Sequence, residues 1–374
     1  MIPDKSKKKA PEIYSHTALR GIAAMYVVMF HLGWSDEKHE QNNAFFQIFH
    51  WGGYAVDLFF ILSGFILNWV YLSKPTVNWA SYLRSRAARI LPLYFLTTLL
   101  YLPVPIYSMI KHGLVYVGKD YPKVLFLNLF LISGIVGGFK STINIPAWSI
   151  SVEYFCYLLV FPLLYLSKNF YEKKSRGLIL LVLAACFSTF ACISLYGQAP
   201  INILGFMWDG TWLWRGVFGF STGFLLCSIY KRIPVHKITN WMVNSIFMAA
   251  FAVFICVLLR IFTNRSLLIA LPPLVFFSAT DRGFFAKFLE TRLLQWLGER
   301  SYSIYLWHMF VKGYSFDRLL PHLPIVLNDI VYCFLVLVVA EISYRFFECP
   351  CREYIRKTSF SLTKRSPASR STAN

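Results

Sequence analysis

Apolar runs of about 17–22 residues recur from one end of this chain to the other, and that is the helix length needed to cross ~30 Å of hydrocarbon. Of the 374 residues, 57% are hydrophobic and only 15% are charged, against roughly 25% charged in a soluble domain. The shortage of charge is spread along the chain rather than confined to one segment. Within lipid every backbone polar group must find its partner inside the protein, which leaves helices or closed barrels. Runs of this length point to helices. The expected fold is therefore all-α: a polytopic transmembrane bundle of about ten spanning helices, at 14–33, 51–72, 91–110, 147–167, 178–196, 211–230, 241–261, 266–280, 295–313 and 326–347. The stretch 124–139, "VLFLNLFLISGIVGGF", is short and ends in a glycine cluster. Counted as a full span it breaks the alternation of basic loops, so it is expected to be re-entrant.

The net charge of +19 raises nucleic acid as a partner, but in a chain of spans the placement of the charges decides. With both termini inside, 27 of the 37 Lys and Arg residues fall in cytoplasmic segments and nine outside, as the positive-inside rule requires. Arg215 is left within a span. The domain reading is a basic cytoplasmic arm at 1–13, a transmembrane domain at 14–352 and a basic, disordered cytoplasmic tail at 353–374. A cleavable signal peptide is not expected, because the first apolar segment is long, contains Arg20 and lacks an A-x-A site. Most of the eight cysteines lie inside apolar segments, where they act as small core residues. Neither a disulfide framework nor a metal site is expected.

The polar residues inside the spans carry the chemistry. "LRGIAAMYVVMFHL" places Arg20 and His31 eleven residues apart. At 100° and 1.5 Å per residue they share one helix face, about 16 Å apart along the axis. Intramembrane ionisable residues usually face the bundle interior or an aqueous cavity. Arg20 near the cytoplasmic side could hold an anion, although it could also snorkel to headgroups. His31, deeper and towards the outside, can take or give a proton. A donor with phosphates at one end and a reactive group at the other fits that separation, and coenzyme A has that shape. In "YLRSRAARILPLY", Arg86 and Arg89 are neighbours on a helix face, and arginine forks suit phosphate. The same cluster also reads as a positive-inside signal.

Helix two, "AVDLFFILSGFIL", holds Asp57 near its outer end and Ser63 and Gly64 deeper. Asp57 needs a partner and, by depth, could orient His31, as carboxylates orient catalytic histidines. Ser63 and Gly64 could serve packing. "NIPAWSISVEYFCYLL" offers Ser149 as a cap and Glu153 either as a helix-dipole carboxylate or as a carboxylate facing an outer acceptor site. "LGERSYSIYLWHMF" carries Tyr302, Tyr305 and His308, the last read as a buried structural histidine. The terminal "ECPCRE" reads as a structural Glu348–Arg352 pair.

Together these six stretches, in order across residues 19–352, resemble the acyltransferase-3 family of integral membrane O-acyltransferases. The resemblance implies transfer of an acyl group, usually acetyl, from cytoplasmic acyl-CoA to a hydroxyl, commonly on lipopolysaccharide, exopolysaccharide or a similar sugar. It implies that His31 is the catalytic histidine and that Arg20, Arg86 and Arg89 handle the donor. Ser63 and Gly64 match the family's Ser-Gly-Phe signature and are expected on the donor side. Asp57 and Glu153 are expected to join His31 in catalysis. Where many members have a second acid after the glutamate, this chain has Tyr154. Acyl-CoA is expected as a substrate rather than a resident cofactor. Membrane lipids and a sugar hydroxyl are the other expected partners, nucleic acid is not, and the expected location is a bacterial inner membrane. The competing class is a transporter or flippase for a glycan or lipid, whose polar residues would line a pathway.

Overall fold

The apolar runs fold as helices that pack around a polar interior. The computed structural model describes residues 11–33, 48–72, 74, 76–103, 121–136, 143–168, 177–195, 201–203, 206–208, 210–313 and 325–362. In chain order the helices are α1 (Tyr14–Gly33), α2 (Gly53–Tyr71), α3 (Trp79–Tyr101), α4 (Tyr121–Leu129), α5 (Ser133–Val136), α6 (Ala147–Leu166), α7 (Gly177–Leu195), α8 (Gly210–Tyr230), α9 (Asn240–Leu258), α10 (Ser266–Ser278), α11 (Gly283–Leu289), α12 (Arg292–Val311), α13 (Ile325–Ser343) and α14 (Cys349–Leu362). The all-α expectation needs one amendment. Between α7 and α8, two three-residue strands, β1 (Ile201–Ile203) and β2 (Phe206–Trp208), pair antiparallel with Ile201 opposite Trp208.

Among the described residues, α2, α6, α9 and the stretch Leu327–Thr358 each have the length and apolarity of a span on their own. Others reach span length but carry buried charge. The twenty residues of α1 rise about 30 Å. The outer surface is apolar, with Leu163, Phe190, Phe251, Ile269 and Phe334 more than half exposed, while His31, Asp57, Arg215, His308 and Glu348 are buried. Polar inside and apolar outside is the arrangement lipid demands.

Breaks in the helices have local causes. In α6 the turn Cys156–Val160 widens so that the Phe161 N–H reaches Cys156 O, one residue before Pro162, which has no N–H to give. The turn Tyr344–Glu348 widens in the same way, with Cys349 N–H on Tyr344 O, one residue before Pro350. The expected span at 266–280 is instead a bent pair, since α10 and α11 meet at 86° through a link where Asp281 has φ of 47°. The segment 124–139 is no single helix. The nine residues of α4 rise only about 14 Å, Leu131 turns the chain with φ of 53°, and one turn of helix follows at α5. Residues 137–139 lie outside the described residues.

The tail expected to be disordered from residue 353 continues instead as helix α14 to Leu362. Its residues 363–374 lie outside the described residues, as do residues 1–10 of the N-terminal arm. The segments read as inner loops gather at one end of the bundle. Trp69 Nε1 donates to Pro11 O at 2.9 Å, Lys231 Nζ to Asn68 O at 2.8 Å, and Tyr230 Oη to Ala279 O at 3.2 Å. Asp281 accepts from the N–H groups of Tyr14 and Ser15 at 3.0 and 2.8 Å, placing a carboxylate on the positive end of α1.

Two close crossings position the site. A Cβ on Gly64 would lie 1.9 Å from Phe220 O, and one on Gly223 would lie 1.8 Å from Ile61 O, so α2 and α8 touch backbone to backbone. A Cβ on Gly298 would lie 2.0 Å from Thr17 O, and one on Gly21 would lie 2.6 Å from Gly298 N, which locks α1 to α12.

Candidate active site

Two cavities lie on either side of Val56 and Tyr305, which line both. The inner one is a narrow slot of about 40 Å³ lined by Arg20, Ser63, Arg89, Glu153 and Tyr302 among others. The outer one is larger, about 280 Å³, and is lined by His31, Trp148, Trp212 and Arg215 among others. The single helix α1 serves both, with Arg20 in the slot and His31 in the outer cavity.

In the slot, Glu153 Oε1 accepts from Ser63 Oγ at 2.5 Å and from the Tyr157 hydroxyl. Tyr157 lies one turn on from Glu153, at the start of the widened turn of α6. Arg89 is within electrostatic reach of Glu153 and Glu348, and Arg20 within reach of Arg89 and Glu153. Arg20 Nε is buried and makes no hydrogen bond among the described residues. A buried donor left without an acceptor costs about 1–3 kcal/mol, so an acceptor placed in the slot beside Arg20 Nε would be favoured. Tyr302 donates to Ile90 O at 2.7 Å, fixing the far wall.

In the outer cavity the hydrogen bonds set the histidine tautomers. His308 Nδ1 lies 2.6 Å from Tyr305 O, so Nδ1 donates and Nε2 carries the lone pair. That Nε2 faces His31 Nδ1 at 3.3 Å, and His31 Nδ1 is also 2.9 Å from Val27 O. Two acceptors around one nitrogen put the proton on His31 Nδ1 and leave the basic lone pair on Nε2. Lys312 Nζ bonds the His31 carbonyl, and Tyr332 Oη donates to His308 O at 3.0 Å. Across the cavity, Arg215 is gripped by Asp57 through Nη2 at 2.6 Å and Nε at 3.3 Å. Its guanidinium lies 5.0 Å from the Trp212 ring.

Several expectations are corrected here. Asp57 does not orient His31; its carboxylate is taken by Arg215, and His31 is held by a carbonyl and by His308. Asp57 therefore reaches the cavity only through the cation it positions. Glu153 does not face the outer cavity but the inner slot. It sits well inside α6, bound to Ser63 and Tyr157, rather than in a capping turn. Ser149 does not cap α6 either; it donates to Pro146 O at 3.0 Å and bonds the Tyr305 hydroxyl at 2.8 Å. Gly64 packs against Phe220 and lines neither cavity. Arg86 lies outside the slot, its guanidinium 5.7 Å from the Tyr157 ring and 6.0 Å from that of Tyr71. Sequence reasoning missed Arg215 and Tyr157 and underrated His308. A signal for Arg215 existed: it lies the same few residues from the outer end of its span as Asp57 does, with opposite charge.

Comparison with known proteins identifies the family. Residues 13–345 match the family model described as "Acyltransferase domain". The acyltransferase MdmB of Streptomyces mycarofaciens is 32% identical over 211 residues, covering 53% of this chain and 52% of that protein. The O-acetyltransferase OatA of Staphylococcus aureus is 26% identical over 365 residues, covering 90% of this chain and 56% of that protein. A putative acetyltransferase, ORF330, of Acidianus two-tailed virus is 25% identical over 301 residues, covering 79% of this chain and 82% of that protein. The chain spans about half the length of the first two of these relatives. No solved structure matches. With the family model covering nearly the whole chain, the chain belongs to the acyltransferase-3 family.

Proposed function

We propose that the protein is a membrane O-acyltransferase that takes an acyl group, in the simplest case acetyl, from cytoplasmic acyl-CoA and delivers it to a hydroxyl of a cell-surface glycan or lipid-linked sugar. The observation that carries this is the meeting of the two cavities at Val56 and Tyr305, with arginines on one side and a histidine on the other. Ten spans with both termini inside, in a bacterial inner membrane, would place the arginine end in the cytoplasm.

In this reading the donor's phosphates stay with the arginines at the inner end, and the pantetheine arm passes through the slot. The thioester then reaches His31. Its Nε2 either removes the proton of the acceptor hydroxyl, which attacks the thioester carbonyl, or attacks that carbonyl itself and passes the acyl group on. In both routes the C–S bond breaks and the CoA thiolate leaves to take up a proton. Arg215, held at the rim of the same cavity, faces the site where the tetrahedral oxyanion would form, the position at which a fixed cation lowers a barrier most.

The test is CoA release by purified protein in proteoliposomes supplied with acetyl-CoA and a glycan acceptor. Wild type should release CoA over many turnovers only when the acceptor is present, and His31→Ala should release none while inserting normally. Full activity in that variant, or no release by wild type with any sugar acceptor, would overturn the assignment; the second result favours the transporter reading. Incubation with donor alone separates the two routes, since an acyl-histidine accumulates only in the second.

A further inference from the structure

The C-terminal helix α14 packs along α3, the helix that carries Arg86 and Arg89. Glu348, Arg352 and Arg356 follow at steps of four, so they form one stripe. The electrostatic neighbours fix how that stripe lies. Arg89 is in reach of Glu348, while Arg356 is in reach of Arg352, Arg86 and Arg89. Two helices thus bring four guanidinium groups together at the end of the bundle where the inner loops gather.

The acids in reach of Arg89 are Glu348 and Glu153, and Glu153 is already bound by Ser63 and Tyr157. Among the described residues, none of Arg86, Arg89 and Arg356 has a carboxylate within salt-bridge distance. Glu348, which pairs with Arg352, also accepts from Ser303 at 2.7 Å. Glu353 pairs with Lys357 at 2.6 Å on the exposed side. Among the described residues Arg352 Nε is buried and makes no hydrogen bond, and Arg86 is held between the Tyr71 and Tyr157 rings. Like charges gathered beside a donor without an acceptor favour an anion with several oxygens, and arginine forks suit phosphate.

We propose that α14 forms half of the donor's nucleotide site, with Arg352 and Arg356 joining Arg86 and Arg89 around the diphosphate and 3′-phosphate of CoA. This rests on the acyl-CoA reading above and adds to it a helix and two residues beyond the Arg86/Arg89 pair. Clustered phosphates could also come from anionic lipid headgroups, so the experiment separates the sources.

Full-length protein in phosphatidylcholine nanodiscs is titrated with CoA, dephospho-CoA and pantetheine. Arg356 is exposed, so Arg356→Ala should fold. It should weaken CoA binding about tenfold, as expected for one lost charge-assisted phosphate contact. It should weaken dephospho-CoA binding less and pantetheine binding not at all, with Arg356→Lys restoring part of the affinity. Unchanged CoA affinity in Arg356→Ala, while wild type binds CoA, overturns this proposal and leaves the acyl-CoA reading standing. No CoA binding by wild type overturns both. Loss of co-purifying anionic lipid from Arg356→Ala with CoA affinity intact assigns the stripe to headgroups and likewise overturns the proposal.

Discussion

Replacing Asp57 by Asn tests the least expected contact in the site. Asp57 is fully buried and Arg215 is 3% exposed, joined through two nitrogens at 2.6 and 3.3 Å. Removing one partner of a buried pair typically costs about 3–5 kcal/mol, because the remaining charge stays buried without its counter-ion. The Trp212 face still offers the guanidinium a cation–π contact worth about 1 kcal/mol, which puts Asp57→Asn near the lower end, about 3 kcal/mol. Removing both charges with apolar residues of similar volume, as in Asp57→Leu with Arg215→Met, should cost under about 1 kcal/mol. With each single change, Asp57→Leu or Arg215→Met, costing about 3 kcal/mol or more and the double under about 1, the double-mutant cycle should show a coupling of about 5 kcal/mol. Denaturant unfolding in micelles, followed by tryptophan fluorescence, reads these differences, and CoA release reads activity on the same samples. The double variant should fold like wild type yet transfer poorly, since the cavity beside His31 then lacks the Arg215 guanidinium. A cost below about 1 kcal/mol for Asp57→Asn, or additive effects of the two changes, would refute the pairing. Strong coupling of Asp57 to His31 in the equivalent cycle would restore the direct orienting role instead.

Four further outcomes follow from the same geometry. Gly223→Val should destabilise by about 2 kcal/mol or more, the cost of overpacking a tight contact, because a Cβ there meets Ile61 O at 1.8 Å; unfolding midpoints check it, and unchanged stability would mean the crossing is loose. His308→Leu should cut transfer about ten- to hundredfold, since the His31 N–H loses an acceptor worth about 1–3 kcal/mol, while His308→Gln keeps part of the rate through its amide oxygen. Tyr157→Phe takes one of two donors from Glu153, and should raise the KM for acyl-CoA more than it lowers kcat. Asp281→Ala uncaps α1 and should cost about 1–2 kcal/mol of stability with little change in the rate at low temperature.

The sequence made the bundle legible because lipid leaves so few alternatives. A run of about twenty apolar residues has one stable form, and its ends follow from charge. What periodicity could not show was where two spans cross. The Asp57–Arg215 pair joins residues 158 apart in sequence, and neither residue's own helix names the other. Charge balance at equal depth was the available clue. The glycines behaved in the same way. Gly64 looked like part of a signature for binding, yet what it requires is the absence of a side chain facing Phe220, and only the partner helix reveals that. The tail failed for a different reason. Its composition is polar and basic, as disordered segments are, but α14 needs no core of its own because it continues α13 and lies along α3.

The site itself depends on one registration that neither motif contains. Both α1 and α12 start at the end where the inner loops gather, and they cross at Gly21 and Gly298. Ten residues beyond Gly21 is His31, and ten beyond Gly298 is His308, so equal rises of about 15 Å carry both imidazoles to one level. There they meet at 3.3 Å. A side chain at either glycine would push the helices apart and would separate the histidines while leaving each motif intact. The spacing within "LRGIAAMYVVMFHL" therefore does two things at once: it sets His31 about 16 Å above Arg20, and through Gly21 it sets the height at which His31 meets His308.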